Sequence, residues 1–197
     1  MKHCENLIDV HHSVGSGGSG RHYKEVSVNR AIVVLAVAAW QALVEDLTRA
    51  LLDMNAPSGG MTRQTFDLLQ GPVRNAIGRF ATPNAEKTRE LMLSAGFDPR
   101  PHWRWTAGIG VGPVSRTPTE VASTINDWLQ IRHCIAHGQT MKALPVLEAV
   151  RLGRYDPENL SIRLADARNC VAFFKKVGRT TGDALSAHFS VGPSTWP

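Results

Sequence analysis

The chain has 197 residues, 21.5 kDa, 43% of them hydrophobic and 20% charged, a composition that supports one domain with a real core and excludes a disordered chain. Its three cysteines, Cys4, Cys134 and Cys170, are odd in number and widely spaced, which argues against a disulfide framework or a zinc ribbon. The net charge of +5 comes mainly from 16 arginines against 6 lysines, a bias that suits phosphate recognition by the planar guanidinium fork and equally a GC-rich genome that favours arginine codons, so charge alone identifies no partner.

At the N-terminus no apolar stretch leads to a small-residue cleavage site, and the longest apolar run, Ala31 to Val44, is 14 residues closed by Arg30 and Glu45. These features predict a core helix in a cytoplasmic protein rather than a secretory signal or a membrane span. Residues 13–20 are all serine, glycine or valine, so residues 1–23 read as a flexible N-terminal segment and 24–197 as the helical domain. His3, Cys4, His11 and His12 fall in that leader with spacing unsuited to a metal, and no structural metal or cofactor is expected.

From Ser27 to Met54 the apolar positions Ile32, Ala36, Ala39, Trp40, Leu43, Leu47, Ala50, Leu51 and Met54 recur every three or four residues, the pattern of one amphipathic helix. A second helical stretch from Phe66 to Phe80 is interrupted at Gly71-Pro72, where proline is expected to kink or split it. A third begins after Asn84 as N-cap and stops at Gly96. Residues 97–116 hold Pro99, Pro101, Gly108, Gly110, Gly112 and Pro113 and read as a long loop.

Thr117-Pro118-Thr119-Glu120 combines a capping threonine, a proline at the first helical position and a glutamate at the third, so a helix is expected from Pro118 to His137, ending at Gly138. A last helix is expected from Leu164 to Phe189. Five helices without a convincing alternating strand predict an all-α bundle with a long loop before the fourth helix.

The helix from Pro118 carries Val121, Ile125, Trp128 and Ile135 on one register, and Arg132 falls in the middle of it. A buried unpaired guanidinium is costly, so Arg132 is expected either to meet a carboxylate inside the bundle or to line a cleft or a subunit interface. Asp46, on the flank of the first helix's apolar stripe while Glu45 points away, is the candidate to orient it.

The stretch Ile131-Arg132-His133-Cys134-Ile135-Ala136-His137-Gly138 resembles the R-x-x-x-x-H motif of the HEPN superfamily, at the end of a long helix in an all-helical chain. Asn29-Arg30-Ala31, the run Ala38 to Leu47, and Phe80-Ala81-Thr82-Pro83-Asn84 leading to Gly96-Phe97 are similar to the RiboL-PSP-HEPN branch, over about residues 21–190. The resemblance implies a homodimeric endoribonuclease that cuts RNA without a metal, in toxin–antitoxin or phage-defence settings, with an antitoxin or nucleotidyltransferase as partner. It places Arg132 and His137 at the two motif positions and His133 at the polar one.

Metal-free RNA cleavage uses the 2′-hydroxyl as internal nucleophile, so the enzyme must move protons and stabilise a phosphorane. Imidazole titrates near neutral pH and guanidinium offers two donors to phosphate oxygens. On an ideal helix Arg132 and His137 stand about 140° apart around the axis and about 7.5 Å along it. Either the last turn distorts at Gly138 or a two-fold axis brings pairs from two subunits together, and a combination of both is expected.

Arg100, Trp103, Arg104 and Trp105 interleave bases with aromatics. They are RNA-binding candidates by stacking and charge, or else tryptophans that anchor a loop to the bundle. Two other readings compete with the enzyme: a catalytically silent HEPN adaptor or dimerisation module, and a basic helical regulator of duplex DNA, which lacks a helix-turn-helix signature.

Overall fold

A computed structural model describes residues 1–14, 23–57, 60–107 and 114–192. Eight α-helices are found among them: α1 (Lys2–Val14), α2 (Tyr23–Met54), α3 (Gly60–Leu69), α4 (Gly71–Gly78), α5 (Ala85–Ser94), α6 (Pro118–Ala136), α7 (Glu148–Arg151) and α8 (Leu164–His188). The fold is all-α, with more helices than the five expected. Two short strands, β1 (Trp105–Ala107) and β2 (Val114–Arg116), pair antiparallel with Thr106 opposite Ser115. The expected loop at 97–116 thus includes a hairpin, whose residues 108–113 lie outside the described residues, as does the glycine-rich stretch from residue 15 to residue 22.

Helix ends follow local chemistry. Asn84 accepts a hydrogen bond from Lys87 N at 2.7 Å to cap α5. Thr117 and Glu120 form a reciprocal box at the start of α6, with Thr117 N donating to Glu120 Oε2 at 2.8 Å and Glu120 N donating to Thr117 Oγ1 at 3.3 Å. The Thr117 N–H bond, with a second from Thr117 Oγ1 to Glu120 Oε2 at 2.9 Å, holds the Glu120 carboxyl below its ordinary pKa. Pro72 enters the first turn of α4, where its missing N–H costs nothing, so Gly71-Pro72 separates two helices rather than kinking one.

The chain divides into two compact units, Met1–Ala39 with Thr124–Lys176, and Trp40–Ser123 with Val177–Pro197. In the first unit Ile32, Val33, Val37, Trp128, Ile131, Ile162 and Phe174 are buried. The segment expected to be a flexible leader is instead helical from Lys2 to Val14. Cys4 is buried with its Sγ 3.9 Å from Ile32 O, Glu5 pairs with Lys175, and His12 meets Arg168 at 2.6 Å. These partners lie 28 to 170 positions away, out of reach of a local reading.

Asp166 organises the same unit. It is fully buried, and its two carboxylate oxygens accept from Glu148 N (2.7 Å) and Arg163 N (2.9 Å). One side chain therefore satisfies the open N–H groups at the starts of both α7 and α8, where helix dipoles also favour negative charge.

In the second unit Trp40, Leu51, Leu52, Met92, Phe97, Trp103 and Leu185 are buried. Trp40 Nε1 donates to Pro83 O at 3.1 Å and Gln41 Nε2 to Phe80 O at 2.6 Å, tying α2 to the segment between α4 and α5. Gly178 lets α8 come close to α2, since a Cβ there would stand 2.6 Å from Leu43 Cδ2.

The helical span Lys24–Met54 is long and apolar enough to cross a membrane by length and composition, an 18-residue window of it having mean hydropathy 1.6. Within the protein it buries Ile32, Val33, Ala36, Val37, Trp40, Val44, Leu51 and Leu52. The buried register passes through Val44 and Thr48 rather than the expected Leu43 and Leu47, which are half-buried. Thr48 tolerates burial by donating to Val44 O at 2.7 Å.

Candidate functional site

The end of α6 is built by a left-handed glycine. Gly138 has φ 61°, Gln139 N donates to Cys134 O at 2.9 Å, and Gly138 N to Ile135 O at 3.4 Å. Together these form a Schellman cap, which needs a residue free to adopt positive φ. His137 N still donates to His133 O at 3.1 Å, so the helix is regular through His137. The distortion expected at Gly138 is this left-handed cap, and because it follows His137 it does not bring Arg132 and His137 onto one face.

A regular helix has two consequences for the motif. His133 and His137, one turn apart, bring their rings to 4.3 Å between centroids with a 47° tilt, and both are exposed. Arg132 stays about 140° around the axis from His137.

Arg132 is half-buried and makes no hydrogen bond or ion pair among the described residues. Of the two expected placements, a carboxylate partner inside the bundle is not found among the described residues, for a geometric reason. The buried residues of α6 are Val121, Ala122, Ile125, Trp128, Ile131 and Cys134; from Ile125 onward they lie three apart, which turns the buried face back by about 60° at each step. At the level of Arg132 that face has rotated away, and the guanidinium is left at its edge.

Asp46 has another partner. Its carboxylate accepts from Arg49 Nη1 at 2.9 Å, three residues along α2, while Arg49 Nη2 reaches Glu45 at 3.1 Å. The side chain of Asp46 is 73% exposed and that of Glu45 21%, the reverse of the expected order. The short-range pairing on one helix face accounts for it.

Among the four RNA-binding candidates Trp103 is a core residue. It is 0% exposed, its Nε1 donates to Thr181 Oγ1 at 3.1 Å, and its ring meets Trp40 edge-on at 6.5 Å. Arg100 pairs with Glu86 at 2.5 Å, Arg104 Nε donates to Pro101 O at 2.9 Å, and Trp105 is half-buried in β1. A loop anchor, not a stacking platform, is what Trp103 provides.

Two clefts in the first unit escaped the sequence reading. One, of about 340 Å³, is lined by Ser27, Arg30, Gln139, Thr140, Asn159 and Ser161 among others. It opens at Gly138, immediately after the motif histidine. The second, of about 200 Å³, includes Arg154, Tyr155 and Arg163 and shares Asn159, Leu160 and Ser161 with the first. The larger joins Val26, Ser27 and Arg30 to residues beyond 137, more than a hundred positions away, so no local pattern announces it, whereas the smaller is lined entirely by residues between 149 and 163.

Burial raises the pKa of the Asp127 carboxyl on α6. Among the described residues no group of three or more His, Cys, Asp or Glu side chains comes together to hold a metal ion. No family model, curated protein or solved structure matches this chain.

Proposed function

We propose that this protein is a homodimeric, metal-independent endoribonuclease of the HEPN type, with Arg132, His133 and His137 in its active site. The observation that carries this reading is the pair of exposed imidazoles 4.3 Å apart beside a half-buried guanidinium that has no acid partner among the described residues. A base removes the proton from the 2′-hydroxyl, the 2′-oxygen attacks phosphorus, and the 5′-oxygen leaves with a proton from an acid. The products are a 2′,3′-cyclic phosphate and a 5′-hydroxyl. His137 is assigned to proton transfer, His133 to its orientation, and Arg132 to the extra negative charge of the phosphorane.

Because Arg132 and His137 diverge on a regular helix, one complete site takes its arginine and its histidine from two copies related by a two-fold axis. On this reading the protein acts in the cytoplasm, in a toxin–antitoxin or phage-defence setting, with an antitoxin or nucleotidyltransferase as neutralising partner.

A second reading, a silent HEPN adaptor, draws on the same divergence, since a single chain does not converge the motif. The deciding experiment incubates the full chain with single-stranded RNA in EDTA and analyses the ends. Cyclic phosphate ends in chelator are expected; activity that vanishes with EDTA and returns with magnesium overturns the mechanism, and uncut RNA leaves the adaptor.

A further inference from the structure

Arg49, Arg63, Arg74, Arg89 and Arg100 each pair with a carboxylate. Arg79, Arg116, Arg132, Arg151 and Arg179 make no side-chain hydrogen bond or ion pair among the described residues, and none of them lines the clefts around Asn159–Ser161. Arg30, Arg154 and Arg163, all exposed, have no side-chain hydrogen bond or ion pair among the described residues, and all three line the two clefts that share Asn159–Ser161.

Two carboxylates also line these clefts. Asp156 accepts from Glu158 N at 3.0 Å and from Asn159 Nδ2 at 2.6 Å, so it is turned onto its own loop, and those bonds lower its pKa. Glu158 lines the larger cleft opposite Arg30 in charge. Three guanidinium groups against two carboxylates leave the pair of clefts net positive, with the excess on the smaller one.

Size and chemistry divide the clefts. At about 340 Å³ the larger is within the range of small-ligand sites. Its lining of amides (Gln139, Asn159) and hydroxyls (Ser27, Thr140, Ser161) supplies the donors and acceptors that a base edge and a ribose hydroxyl require. The smaller, at about 200 Å³, is below that range. It offers two guanidinium forks for a phosphate, with the exposed ring of Tyr155 beside them as a stacking surface.

We propose that the two clefts hold the RNA nucleotide next to the scissile bond, its nucleoside in the Arg30 cleft and its phosphate between Arg154 and Arg163. This rests on the endoribonuclease reading above and names how that substrate is held. The larger cleft begins one residue after His137, so a strand seated there runs past the end of α6.

Fluorescence anisotropy with a labelled single-stranded RNA, on the full chain carrying His137→Ala and in EDTA, tests it. Arg30→Ala and the double variant Arg154→Ala/Arg163→Ala should each weaken binding about tenfold or more, with unchanged melting. The slope of log affinity against log salt should fall by about 0.7 for each arginine that contacts a phosphate. Arg63→Ala, which removes the same charge from a paired site on α3, should bind like the parent. Cleft variants that bind within twofold of the parent with the same salt slope overturn the proposal, as does an equal loss in Arg63→Ala or a parent that binds no RNA.

Cleavage by the native chain is scored separately. Uncut RNA together with binding that depends on Arg30, Arg154 and Arg163 removes the ribonuclease and keeps the clefts. Active chains whose cleft variants bind and cut normally keep the ribonuclease and remove the clefts.

Discussion

The imidazoles of His133 and His137 stand 4.3 Å apart at the exposed end of α6, because the helix remains regular through His137 and turns back only at Gly138. On the proposed ribonuclease reading, His137 carries the proton and the adjacent His133 orients it. His137→Ala should lower RNA cleavage by roughly 10² to 10⁴, and His133→Ala should cost less. Single-turnover rates distinguish them; full activity in both variants would end the catalytic assignment.

Arg132 makes no ion pair among the described residues, which separates its chemistry from its contribution to stability. Arg132→Ala should lower cleavage by about 10² to 10³ while changing unfolding by no more than about 0.5 kcal/mol. Lysine should rescue poorly, because a point charge does not reproduce the bidentate fork. A melting transition that drops together with activity would place Arg132 among the structural residues instead.

The divergence of Arg132 and His137 around α6 makes subunit complementation informative. Inactive Arg132→Ala and His137→Ala chains, mixed and re-associated, should recover about a quarter of native activity, since half the dimers then carry one intact composite site. Sedimentation should show the dimer at tens of micromolar. A monomer, or mixed chains that stay inactive, would remove the shared site.

Trp103 belongs to the core and its indole N–H is satisfied by Thr181 Oγ1. Trp103→Phe should destabilise by about 1–3 kcal/mol. Thr181→Val should also cost about 1–3 kcal/mol by leaving that N–H unsatisfied. The two losses should be less than additive in a double-mutant cycle followed by urea unfolding, and RNA affinity should not change. Additive losses would show that the bond contributes nothing.

Two carboxylates should respond to pH with opposite sign. Hydrogen bonds from Arg89 hold the Asp98 carboxyl below its ordinary value of 3.8, helped by Arg100 N–H and opposed by burial. Its contribution is complete above the unfolded value and fades as pH falls through the lower folded one. Asp98→Asn should therefore lower Tm by about 1–4 °C at neutral pH, with the gap closing in acid. Asp127 is shifted the other way, raised above 3.8 by burial, so its charge opposes folding at neutral pH and protonation relieves it. Asp127→Asn should raise Tm at pH 7, with the advantage shrinking as pH falls through the raised value. Thermal scans from pH 3 to 8 check both; a pH-independent offset in either variant would contradict the assignment.

The sequence by itself determined what short-range chemistry controls. The Thr117–Glu120 box, the Asn84 cap, the break at Gly71-Pro72 and the stop at Gly138 all depend on partners within five residues, and the all-helical class follows from them and from the apolar period. Only the tertiary structure decided which helix face is buried and which charges are paired. Trp103 reads as either a stacking residue or a loop anchor until Thr181, 78 positions away, takes its indole, and α1 packs where Ile32, Arg168 and Lys175, far along the chain, meet it. Arg132 lies at the edge of the core because the buried stripe of α6 steps by three from Ile125 to Cys134 instead of alternating three and four. The larger cleft brings Arg30 to residues 138–161, and packing against distant segments has no trace in the local period that sequence reading uses.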